Sequence, residues 1–414
     1  MIKKKDKILE VYYYVCCLLF LFTMVWEIPH AVFWGPTFAF GAFCIYRFYT
    51  RNTMIFENAA GFLLVFCVSY CASVYNTKQS LVYQTYIFAH AFFMYYIGVN
   101  AFPEKNKETK RKLLEAFFFI VSLMYVIYMI ATLLNFHFNH AHDLEAHRMF
   151  YSLWYGKYTI KPCTVILMSL VIPLTYGLYA VLFQPIVYKI FGIGFIGLTM
   201  WFSVWSGART LVFAFPFLLV GTIFAYLWFV KKNHKAALIT AGSIVGICAV
   251  AVVLILVFKD NLTERFGDTI FIRILNMGLD SPRWQANWEV IKDFSLTYMG
   301  GGEHSAKYGT PHNIWLYIYD HGGIIPFVFF CIFTIIIIKN CILMLFSKKV
   351  ETRLKFLIFI MFSMIVLEYN LEPFIYPLPS FFCISMFIMG VITSEARRDT
   401  DKKRGKVVKI EFSR

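Results

Sequence analysis

Apolar runs of about twenty residues recur along this chain, each long enough to cross a bilayer as a helix. They fall near 8–26, 28–46, 55–74, 81–101, 113–134, 161–182, 186–206, 209–230, 236–258, 313–339, 355–372 and 374–394. A transmembrane barrel would instead show alternating segments of about ten residues, which are absent from this sequence. Composition agrees: 59% of the 414 residues are hydrophobic and 15% are charged, where a soluble domain needs about a quarter charged. The expected fold class is an all-α polytopic integral membrane protein with about twelve transmembrane helices.

The formal net charge of +15 does not point to nucleic acid, because of where it sits. Basic residues gather in "MIKKKDK", "YRFYTRN", "PEKNKETKRK", "VKKNHK", "SKKVETRLK" and "EARRDTDKKRGKVVK", on every second loop. That is the pattern of cytoplasmic loops, and it puts both termini in the cytoplasm. The excess charge reads as a topology signal and an attraction to anionic inner-leaflet lipid. The 10 cysteines lie in or at the ends of apolar segments without a CxxC pair, as small hydrophobes do. The first apolar run lacks a small-residue cleavage site, so a retained helix is expected there.

The organisation expected is nine transmembrane helices over 1–258, an extracytoplasmic loop over 259–312, three more helices over 313–394 and a mobile basic cytoplasmic tail over 395–414. Outward loops are short except for 135–160 and 259–312, and long loops on a tight bundle are where recognition and chemistry concentrate. Within the second, "SPRWQANWEVIKDF" starts with Ser-Pro and places Trp284, Trp288 and Ile291 at helical spacing. A short amphipathic helix at the outer membrane–water boundary is expected there.

Four outward residues invite chemistry: Arg209, Arg265, Arg283 and His312. Arg209 stands between two apolar runs, either snorkelling to the interface or clamping an anion such as a lipid-linked phosphate. Arg283 follows Pro282 at a helix start, where a guanidinium and unpaired N–H groups can hold phosphate, or where it is simply solvated. Arg265 has Glu264 and Asp268 as neighbours to pair with, and Arg273 reads as a solvated loop residue. His312 and Asn313 open the tenth run behind Pro311; Asn313 suits a helix cap, and an imidazole there suits proton transfer. "MGGGEH" lacks the context of a nucleotide-phosphate loop and reads as a backbone turn close to ligand. His137, His140, His142 and His147 match no standard zinc spacing.

Taken in order, "SGARTLVFAF", "SPRWQANWEVIKDFSLTYMGGGEH" and "PHNIWLYIYDHGGIIPFVFF" resemble the O-antigen ligase and O-antigen polymerase superfamily. The matching positions are Arg209, Arg283 with Trp284 and Trp288, Gly300 to Gly302, and His312 with Asn313, Gly322 and Gly323, across 195–335. The resemblance implies a glycosyltransferase of the bacterial cytoplasmic membrane. It would move a glycan from an undecaprenyl-diphosphate-linked donor to a glycan, lipid or protein acceptor, beside other polysaccharide-assembly membrane proteins. It implies no cofactor and no metal. Arg209 and Arg283 would clamp the diphosphate, with Arg265 a weaker third, and His312 would take the acceptor proton with inversion at the anomeric carbon. Trp284, Trp288, Gly301, Gly302 and Asn313 would contact diphosphate or glycan, and Trp315 could stack on a sugar face as well.

Polymerisation of repeat units into a capsule, exopolysaccharide or O-antigen is the first expectation, and transfer of finished glycan by a ligase is its neighbour. A flippase or transporter of the same lipid-linked sugars is the alternative from another class. Carriers concentrate polar residues inside their spans, and the spans here read as free of charge.

Overall fold

The computed structural model describes residues 58–74, 81–100, 107–139, 149–152, 157–162, 170–206, 209–257, 282–373, 375 and 379–404. The expected spans 8–26 and 28–46, Arg265, Arg273, His140, His142 and His147 lie outside the described residues. The helices are α1 (Asn58–Val74), α2 (Leu81–Asn100), α3 (Lys107–Asn139), α4 (Val171–Phe183), α5 (Ile186–Trp205), α6 (Arg209–Ala225), α7 (His234–Val257), α8 (Pro282–Lys292), α9 (Glu303–Tyr308), α10 (Ile314–Gly322), α11 (Ile324–Phe346), α12 (Thr352–Leu371) and α13 (Pro379–Arg404). A π-helical turn, Tyr226–Val230, continues α6. Among the described residues, five segments are long and apolar enough to cross a membrane: Lys107–Phe138, Ile186–Ser203, Ile324–Phe346, Thr352–Leu371 and Ser380–Arg397. Several apolar helices of this kind mark a membrane-embedded protein.

The expectation of a purely helical chain needs one amendment. Strands β1 (Met149–Ser152) and β2 (Lys157–Pro162) pair antiparallel, with Tyr151 opposite Tyr158 and a bulge between Met149 and Tyr151. The Tyr151 amide donates to Thr132 Oγ1 at 3.2 Å, pinning the hairpin to α3. The span expected from 161 therefore cannot start there, because 157–162 is extended and α4 begins at Val171. Tyr158, Thr159 and Ile160 favour strand, and hydropathy alone does not register that preference.

The tenth run is also divided. Gly323 adopts φ 84 and ψ −173, a conformation only glycine takes without strain, and it separates nine-residue α10 from the long α11. His312 thus precedes a short helix of its own instead of opening the membrane span. At the other extreme, α13 stays helical to Arg404, so the first part of the tail expected to be mobile continues the last helix.

Charged segments meet at one end of the bundle. Lys110 Nζ lies 2.8 Å from Glu395 Oε1, with both side chains buried. Arg111 bonds Glu115 at 3.1 Å and Glu351 at 3.0 Å, the Tyr179 hydroxyl donates to Glu115, and the Arg353 guanidinium lies 5.7 Å from the Phe183 ring centre. The start of α3, the α4–α5 turn, the α11–α12 turn and α13 near Glu395 therefore share what we term the basic end, as the alternation of basic loops requires.

Between the ends, α1, α2, α11 and α13 share an aromatic seam. Phe66 meets Phe330 at 4.8 Å and Phe88 at 5.4 Å, and Phe88 meets Phe382 at 6.3 Å. The seam runs beneath α10, because Trp315 and Tyr369 pack on it, 6.0 Å apart. It forms a rigid floor for the residues at the opposite end.

Candidate functional site

At the end opposite the basic one, three elements converge on Pro311, His312 and Asn313. Asn313 caps α10: its Oδ1 accepts from the Trp315 and Leu316 amides at 3.0 and 3.1 Å, satisfying N–H groups that a helix start leaves unpaired. Its Nδ2 donates to Asn370 Oδ1 at 3.4 Å. The His312 amide donates to Asn287 Oδ1 on α8 at 2.8 Å. The His312 ring reaches Glu372, the residue that ends α12, with Nδ1 2.7 Å from Oε2. The imidazole is 25% exposed and the carboxylate 2%. One helical turn back, Glu368 is fully buried, and neither carboxylate oxygen has a hydrogen-bond partner among the described residues. The expectation of charge-free spans fails at this residue.

Helix α8 forms as its sequence suggests, with proline at its first position. It buries Ala286 and Val290 and turns Trp284, Trp288 and Ile291 outward, each about half exposed. The apolar stripe expected at a membrane boundary thus faces away from the protein. Beside it lies a cleft of about 810 Å³ lined by Trp284, Gln285, Trp288, Lys292, Lys307 and Tyr308. Asn287 joins this cleft-bearing helix directly to His312.

The segment after α8 folds back onto the break between α10 and α11. Gly300, Gly301 and Gly302 all have positive φ, at 89, 117 and 76. A Cβ on Gly300 would lie 2.6 Å from the His321 carbonyl oxygen and 2.7 Å from Gly323 N, too close for any side chain. The Gly301 and Gly302 amides donate to the carbonyls of His321 and Asp320 at 3.1 and 2.9 Å. The glycines therefore seat one backbone on another, and no ligand contact is needed to account for Gly301 and Gly302.

Asp320 holds this loop down. Its carboxylate is fully buried. It accepts from the amides of His304 and Ser305, each at 3.1 Å, from His304 Nδ1 at 2.9 Å, from the Ser305 hydroxyl and from the Tyr298 hydroxyl at 3.3 Å. Burial, with the Asp320 charge added, pushes the Tyr298 phenol well above its usual range. Burial also holds His321 below the ordinary imidazole value, and Asp320 acts against that shift.

The arginines are placed by backbone only. Arg209 is the first residue of α6 and Arg283 lies in the first turn of α8, and both side chains fall outside the described set. Helix α6 runs toward the basic end and packs against α12, which runs away from it, with Phe224 and Phe359 6.2 Å apart. From that contact Arg209 and Glu372 each lie about 20 Å toward the opposite end. The start of α6 therefore stands level with the His312–Glu372 pair. Of the expected residues, the structure brings together His312, Asn313 and the helix carrying Trp284, Trp288 and Arg283.

Sequence reading missed Glu372, Glu368, Asn287 and Asp320. A signal existed for two of them: "LEYNLE" puts two carboxylates one helical turn apart at the end of an apolar run, where acidic residues are costly. No family model matches the chain, and no curated protein matches it. Among the described residues no group of three or more His, Cys, Asp or Glu is arranged to hold a metal ion.

Proposed function

We propose that this chain is a membrane glycosyltransferase that polymerises undecaprenyl-diphosphate-linked repeat units into a cell-surface polysaccharide. The end opposite the basic one is then the extracytoplasmic face, and both termini are cytoplasmic. The observation that carries the reading is His312. The titratable residue singled out in the sequence stands at that end, partly exposed, with one ring nitrogen bound to a buried carboxylate. In the transfer, His312 accepts the proton of an acceptor hydroxyl as that oxygen attacks the anomeric carbon. Arg209 and Arg283 neutralise the diphosphate that leaves, where positioned cations act on developing charge, and Arg265 is a weaker third. Trp284 and Trp288 offer aromatic faces for sugar rings along the adjacent cleft. An acceptor other than the growing glycan would make the same chemistry that of a ligase.

A second reading, a carrier of lipid-linked sugars, draws on Glu368. An unpartnered carboxylate inside an apolar helix is typical of transport pathways. Glycan length in the producing cell separates the readings, comparing wild type with His312→Ala and Arg209→Ala at matched membrane expression. Collapse from long polymer to single repeat units supports polymerisation. Normal chains retained on the lipid carrier indicate a ligase. Unchanged glycan in both variants removes the assigned site and favours the carrier.

A further inference from the structure

A base that serves glycosyl transfer must present one ring nitrogen to the acceptor in one tautomer and one orientation; the inference here rests on that reading of His312. Two independent restraints meet on this residue. Asn287, from α8, takes its backbone N–H at 2.8 Å, and Glu372, from α12, lies 2.7 Å from its Nδ1. An ionised carboxylate only accepts hydrogen bonds, so the ring hydrogen belongs on Nδ1 and the lone pair on Nε2. Glu372 is itself anchored, because its amide donates to the Glu368 carbonyl at 3.0 Å. Its side chain is withdrawn from solvent while the ring it holds is not, which strengthens a charge-assisted hydrogen bond.

We propose that Glu372 is the positioning residue of the transfer step: it keeps Nε2 of His312 turned toward the acceptor hydroxyl and stabilises the imidazolium that forms. When the acceptor oxygen bonds to the anomeric carbon, the bond from that carbon to the diphosphate oxygen breaks and its electron pair leaves with the diphosphate. The hydroxyl proton passes to Nε2. The neutral imidazole beside a carboxylate becomes an ion pair, and no further reactant is required.

A simple tether between α12 and α10 would use the same contact but respond differently to substitution. The test takes the full-length protein in liposomes and, as donor, lipid-linked repeat units extracted from producing cells. Initial rates, KM for the donor and thermal midpoints are measured for His312→Ala, Glu372→Gln, the double variant and Glu372→Asp. General-base assistance is worth about 10²- to 10⁴-fold in rate, and Glu372→Gln is expected to lose a large part of it in turnover with KM little changed. The double variant should be no slower than His312→Ala, as for residues that act as a unit, and Glu372→Asp should recover part of the rate. Independently of any variant, the ¹⁵N spectrum of histidine-labelled protein at about pH 8 should show the hydrogen of neutral His312 on Nδ1. An inactive His312→Ala beside a Glu372→Gln of wild-type rate overturns the role of Glu372 and leaves the proposed function standing. Losses that multiply in the double variant, or that follow the thermal midpoint, reduce the contact to a tether. A hydrogen on Nε2 overturns the orientation. A His312→Ala enzyme of full rate removes the base, and the proposed function fails with it.

Discussion

Gly98 on α2 and Gly390 on α13 stand backbone to backbone where the two helices run side by side. A Cβ on Gly98 would overlap the Phe387 carbonyl, and one on Gly390 would overlap the Tyr95 carbonyl. Small residues let helices approach this closely in membranes, where burial of apolar surface adds little to helix association. Gly98→Val or Gly390→Val is therefore expected to destabilise by about 1–3 kcal/mol or more through overpacking. The thermal midpoint of detergent-purified protein, read by fluorescence-detected size exclusion, should fall in both variants. Gly194→Ala, where an added Cβ meets nothing within 4 Å, should leave it in place.

The Lys110–Glu395 pair joins α3 to α13 at 2.8 Å with side chains 1% and 4% exposed. Removing one charge takes from the other its partner at 2.8 Å, and breaking a buried pair in this way costs about 3–5 kcal/mol. Lys110→Met and Glu395→Leu should each lower the thermal midpoint sharply, and the double variant should recover most of the loss. Additive losses in a double-mutant cycle would show that the pair is not coupled.

Below the ordinary imidazole value near 6.5, an unfolded or released His321 takes up a proton that the folded environment resists. Its contribution to holding the loop is therefore fully present above that pH and is lost as the pH falls below it. Asp320 opposes the shift, and Tyr298, His304, Asp293, Glu303 and Lys307 are among the other titratable groups of the segment. Protection of the Gly301 and Gly302 amides, which donate to the His321 and Asp320 carbonyls, should fall as the pH drops from about 7.5 to about 5.5, once the slower intrinsic exchange at low pH is divided out. His321→Gln should flatten that response.

Glu368 has no bonding partner among the described residues and no exposure. Leaving a buried polar group unsatisfied costs about 1–3 kcal/mol, more if it is charged. Glu368→Leu should raise the thermal midpoint of the purified protein by a corresponding amount. A lowered midpoint would mean that the carboxylate is satisfied in the working protein by an ion or substrate group.

Local signals in the sequence carried furthest. Pro311, His312 and Asn313 read correctly as the approach and cap of a helix, because capping is decided within four residues. The helical start at Pro282 and the shared side of "PEKNKETKRK" and "SKKVETRLK" were legible for the same kind of reason. What escaped depends on distance or on a competing pattern. Glu372 meets His312 across 60 positions of chain, and nothing local pairs them. The Gly322–Gly323 break is written in "YDHGGIIPFV", but the apolar run on either side outweighs two glycines in a hydropathy window. Asp320 drew no notice within its apolar run because the loop that satisfies it lies upstream and folds back over it.

The joint at Gly323 has a mechanical consequence. A membrane-crossing helix tilts to match bilayer thickness, and a continuous rod from His312 to Phe346 would transmit that tilt to the imidazole. With α10 separated from α11, the position of His312 is set by Asn287 on α8 and by Glu372 at the end of α12, which itself crosses the membrane. When the bundle leans, the His312 ring therefore follows the end of α12 and the loop helix α8, and not the long helix that comes next in the chain.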